Sequence, residues 1–128
     1  MKNSILASLL AAGLAIGAAS PALAHGSMKP SHGGVVQMSG EIMAELVRTP
    51  KGVDVYLTEE DEPIAASGFD AKLIVTPANG AKTTTALKPA AGNKLSAAGL
   101  KLAAGSKAVV SLVSKKDASK TFLTFALK

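Results

Sequence analysis

From Val35 onward, apolar and polar residues alternate in short runs, and turn residues break the runs at regular steps. Glycines fall at 40, 52, 68, 80, 92, 99 and 105. Steps of about 12 residues between turns are the rhythm of a sandwich or barrel. Residues 25–128 hold no stretch that keeps a 3.6-residue apolar period for three turns, so no long helix is predicted there.

The pattern predicts seven to eight strands. Val35–Met38 is a short first strand. Glu41–Thr49 puts Ile42, Ala44 and Leu46 on one face and Glu41 and Glu45 on the other. Thr49-Pro50-Lys51-Gly52 turns the chain, and Val53–Thr58 returns as the second arm of a hairpin. An acidic loop, Glu59-Glu60-Asp61-Glu62-Pro63, follows, then a short edge strand over Ile64–Ala66. Phe69–Thr76 is the clearest strand, with Phe69, Ala71, Leu73 and Val75 on one face. Lys82–Lys88, Lys107–Ser114 and Lys120–Leu127 complete the set, while Lys94–Leu102 suits a strand, a bulge or irregular backbone. The last strand is apolar on both faces, which predicts a central place in a sheet. The economical architecture is all-β: an antiparallel β-sandwich over 35–128, immunoglobulin-like in outline. Its core is rich in alanine, so buried area per residue is modest.

The N-terminus is a different kind of sequence. Met1-Lys2-Asn3 is positive, Ile5 to Ala19 is apolar, and Ala22-Leu23-Ala24 fits the small-x-small pattern of signal peptidase. Residues 1–24 therefore read as a cleaved signal peptide, helical before cleavage, rather than as a membrane anchor. Cleavage after Ala24 leaves 104 residues, one domain, with 13 basic and 9 acidic residues and a net charge of +4. A second cut, after Ala22, also fits. The absence of cysteine excludes disulfides and thiolate chemistry. An exported chain of this kind is expected in the periplasm, ahead of a secreted fate, with no membrane association once the leader is gone.

Charge and motifs then narrow the function. The lysines are spread out, and the aromatics are Tyr56, Phe69, Phe122 and Phe125 alone, so nucleic-acid binding is not expected. No nucleophile elbow, phosphate loop or His-Glu-x-x-His sequence occurs, and the reading is of a protein that is not an enzyme. The acidic run Glu59–Glu62 lacks calcium-loop spacing and reads as a charged loop.

The candidate chemistry is concentrated in residues 25–38. Both histidines, His25 and His32, lie here, with Met28 and Met38. Imidazole suits copper, zinc and nickel, and thioether sulfur selects soft Cu(I). Cleavage after Ala24 gives His25 a free amine that chelates together with its own ring, with His32 as third nitrogen. Cleavage after Ala22 makes His25 the third residue, which suits a square-planar Cu(II) or Ni(II) site. The predicted ligands are His25, His32, Met28 and Met38, with copper ahead of zinc or nickel. The competing reading is a flexible, merely polar tail over 25–34, a Gly33-Gly34 turn, and Met38 and Met43 as packing residues.

The run His32-Gly33-Gly34-Val35-Val36, with Glu45-Leu46-Val47, Val53-Asp54-Val55-Tyr56-Leu57, Ala71-Lys72-Leu73, Leu87-Lys88-Pro89, Gly92-Asn93-Lys94-Leu95 and Phe125-Ala126-Leu127, resembles a family. It is the small periplasmic β-sandwich proteins that begin with a His-Gly-Gly segment, related to segments of heavy-metal efflux adaptor proteins. The resemblance implies periplasmic heavy-metal association, with His32 as the matching histidine, and an efflux or metallochaperone protein as partner. It also leaves room for an accessory module without a metal site.

Overall fold

The computed structural model describes residues 28–128, so the predicted signal peptide and His25 lie outside the described residues. Nine antiparallel strands follow one another: β1 (Val35–Ser39), β2 (Ile42–Thr49), β3 (Gly52–Glu59), β4 (Glu62–Pro63), β5 (Phe69–Thr76), β6 (Thr83–Pro89), β7 (Lys94–Ala98), β8 (Lys107–Ser114) and β9 (Lys120–Ala126). The order across the sheet is β1-β2-β3-β7-β6-β5-β8-β9, with β4 on the free side of β3's C-terminal end. Among the described residues the only helical turn is the 3-10 turn Ala66–Gly68. No helix among them is long and apolar enough to cross a membrane.

Strand β6 joins two layers. It pairs with β5 from Ala71↔Leu87 to Val75↔Thr83, then meets β7 through Lys88↔Ser96 and Pro89↔Leu95. Such a switch lets one continuous sheet fold over on itself. The two ends approach, since β9 runs near β1 and β2. The result is an antiparallel β-sandwich that verges on a barrel.

The alternation explains the core. Ala44, Leu46, Val53, Val55, Leu57 and Leu95 point inward from one layer. Leu73, Val110, Leu112, Leu123 and Phe125 answer from the other. Phe125, the largest, has no exposed surface. Each of these valine, leucine and phenylalanine side chains contributes about 1.5–3 kcal/mol by leaving water.

Two expectations need correction. The edge strand is Glu62–Pro63, not Ile64–Ala66. Ile64 packs on the core, and Ala66 is fully buried while its N–H donates to the Gly92 carbonyl, so the chain tightens there into a 3-10 turn. Strand β9 is terminal in the order rather than central. Its second apolar face is not covered: Phe122 is 55% exposed. The ambiguous segment resolves into β7 from Lys94 to Ala98.

Candidate functional site

The hairpin of β2 and β3 has the strict register Glu45↔Tyr56, and β1 adds Val36↔Glu45 on one side and β7 adds Tyr56↔Lys94 on the other. Directly opposed residues project from the same face of an antiparallel sheet. Val36, Glu45, Tyr56 and Lys94 therefore form one rung on the outer face. Two residues along, Met38, Met43 and Thr58 form the next rung. The chain enters β1 across these rungs, and this places His32 over them.

Glu45 is a polar residue on an outward position, yet it is 6% exposed. What covers it is the segment before β1. Its Oε1 accepts the Ser31 N–H at 3.0 Å and bonds His32 Nδ1 at 3.0 Å. Its Oε2 accepts the N–H groups of His32 and Gly34, both at 2.8 Å. A carboxylate has about four lone-pair sites, and all are used. Burial pushes the Glu45 carboxyl up. The Gly34 N–H, the His32 ring, the His32 N–H and the Ser31 N–H outweigh it and hold the carboxyl below its ordinary value.

The two glycines make this geometry. Gly33 has φ +74°, a left-handed turn that lets neighbouring N–H groups converge on one anion. Gly34 lies against β2 so closely that a Cβ would meet the Leu46 carbonyl and the Val47 side chain. Ser31 to Gly34 thus lies hydrogen-bonded against the sheet.

The His32 ring is held from two directions. Glu45 takes its Nδ1 edge, and Tyr56 lies flat against its face, with ring centroids 3.6 Å apart and planes 3° from parallel. An ionised carboxylate can only accept, so Nδ1 carries the hydrogen, and it is the neutral form of the ring that offers a lone pair at Nε2. The side chain remains 43% exposed. His32 thus presents one nitrogen in a fixed orientation.

A cavity of about 50 Å³ lies beside it, among Lys29, Ser31, Val36, Met43, Glu45, Tyr56, Thr58 and Asn93. Thr58 Oγ1 is buried there without a hydrogen-bond partner. Two larger surface grooves, one by Thr49–Asp54 and one by Phe69–Lys72, have no histidine or methionine in their walls.

The predicted ligands are dispersed accordingly. His32 is on the outer face of the β1–β2–β3 layer. Met38 stands directly opposite Met43 on that face, and both are partly buried. Met28, at the start of the described residues, is 52% exposed. His25 lies outside the described residues. Among the described residues, no group of three or more histidine, aspartate and glutamate side chains is arranged to hold a metal ion. Sequence reasoning missed Glu45, Tyr56 and the cavity position of Met43. The available signal was a Gly-Gly pair beside a hairpin carrying an alternating Glu, since converging N–H groups need an anion.

Comparison of this chain with family models, curated proteins and solved structures finds no match. The resemblance to His-Gly-Gly sandwich proteins therefore rests on the quoted motifs.

Proposed function

We propose that this chain is a non-enzymatic periplasmic protein that binds or buffers a transition metal, copper ahead of zinc or nickel, through its N-terminal His/Met segment. The observation that supports this is the bond between His32 Nδ1 and Glu45. Histidines that bind metals commonly donate their other ring N–H to a carboxylate, which fixes the tautomer and raises the basicity of the ligating nitrogen. Nε2 of His32 is the first ligand in this reading. The amine and ring of His25, after cleavage at Ala24, supply the others. An efflux or metallochaperone protein is the natural source or acceptor of the metal.

The test uses the mature chain, with His25 confirmed by mass spectrometry as its first residue. Copper titration by calorimetry should give a stoichiometric site, and His32→Ala should weaken it by about tenfold or more. A correctly processed wild-type chain that binds no copper overturns the proposal.

A second reading is an accessory module without a metal. It is favoured by the Glu45 cap, which gives His32, Gly33 and Gly34 a structural role of their own. On that reading His32→Ala lowers stability and leaves copper binding unchanged.

A further inference from the structure

We infer that the outer face of the β1–β2–β3 layer carries a Cu(I) site built from His32 Nε2 and Met43 Sδ. The inference rests on the copper reading above and names a ligand that the N-terminal segment does not contain. His32 and Met43 are far apart in the chain's local order, one before β1 and one inside β2, but they line the same small cavity. The register accounts for this. Met43 is two residues from Glu45 along β2, so both project outward, and Glu45 holds His32 beside them.

The chemistry of that cavity is selective. The one carboxylate in its wall, Glu45, has every lone pair committed to residues 31–34. Asn93 donates its amide to the Leu57 carbonyl. The nitrogen and sulfur ligands this leaves are the second nitrogen of His32 and the thioether of Met43, beside the Thr58 hydroxyl, while Lys29, Ser31 and Tyr56 complete the polar wall. An imidazole with a thioether and no free carboxylate suits a soft, low-coordinate ion, which is Cu(I) rather than Zn(II) or Cu(II). Tyr56, stacked on the ring, fixes the plane in which Nε2 is offered. Met38, opposite Met43 on the same face, is the neighbouring thioether.

The experiment is an anaerobic competition between the mature chain and a chromophoric Cu(I) chelator, run beside a Cu(II) titration and copper K-edge absorption. Met43→Leu keeps the side-chain volume. It should weaken Cu(I) by about tenfold or more, the loss expected for a ligand if outer partners already cost that much. It should leave Cu(II) affinity and the unfolding midpoint unchanged, and remove a sulfur neighbour from the absorption spectrum. Met28→Leu should leave that sulfur signal intact. If Met43→Leu binds Cu(I) like wild type while His32→Ala loses copper, this site is wrong and the copper reading stands. If the wild-type chain binds neither oxidation state, both are wrong.

Discussion

Glu45 holds His32 twice. Its Oε2 accepts the histidine's backbone N–H at 2.8 Å, and its Oε1 bonds the ring Nδ1 at 3.0 Å. One carboxylate on β2 thereby sets both where the chain lies and which way the imidazole faces. Stability and imidazole orientation are coupled at this point.

Replacement of Glu45 by Gln tests that coupling. The amide keeps one acceptor oxygen and turns an NH₂ toward N–H donors that then lack a partner. The expected loss is about 1–3 kcal/mol. For a domain of this size each kcal/mol lowers Tm by about 4–8 °C. Thermal unfolding by circular dichroism measures it, and an unchanged Tm would count against the cap.

Acid should release the same segment. The Glu45 carboxyl lies below its ordinary value in the folded chain and returns to that value on unfolding. A depressed carboxyl contributes its full stability above the unfolded pKa, about 4.3 for Glu. It loses that contribution as the pH falls through the lower, folded value. Stability should thus decline from about pH 4.3 downward, with a shallower decline in Glu45→Gln. Tyr56 is the single tyrosine in a chain without tryptophan, and it stacks on His32. Its emission should change as the segment leaves.

Gly33 and Gly34 should respond differently to alanine. Gly33 has open space around it and a φ of +74°, so Gly33→Ala carries only the left-handed backbone cost, about 1 kcal/mol. Gly34→Ala forces a methyl group into the Leu46 carbonyl and the Val47 side chain, at about 1–3 kcal/mol. It should also expose the N–H groups of residues 31–34 to hydrogen exchange. Equal exchange in the two variants would contradict the close packing of Gly34 on β2.

The core should be separable from the site. Phe125→Ala leaves a void at a fully buried position and should cost about 3–5 kcal/mol. Copper affinity measured well below the unfolding midpoint should be unaffected. A large affinity loss would mean that the site depends on the packing of both layers.

The strands were legible because their faces differ. Phe69, Ala71, Leu73 and Val75 alternate with Asp70, Lys72 and Thr76, and β5 has the predicted bounds. Pro50 and Lys51 turn the β2–β3 hairpin where the sequence suggests, with Thr49 opposite Gly52. Strand β9 misled because two apolar faces look the same whether or not a second layer covers them, and Phe122 is left in solvent. The site was half legible. His32 stood out by residue type, and so did its two glycines. Glu45 did not, because its outward position is the usual one for a solvated charge, and only the fold brings residues 31–34 over it. Met43 had the same difficulty: thioethers on alternating positions look like packing until the register sets one beside an imidazole.

The claim underneath the rest is that Glu45 fixes the tautomer of His32 and leaves Nε2 as the ligand. A two-dimensional nitrogen–proton spectrum of the mature chain, labelled with ¹⁵N in histidine, reads this directly at neutral pH with and without Cu(I). In its neutral form the His32 ring should show a protonated Nδ1 and a bare Nε2, with the metal shifting only the Nε2 resonance. A proton on Nε2, or a metal-induced change at Nδ1 instead, would contradict it.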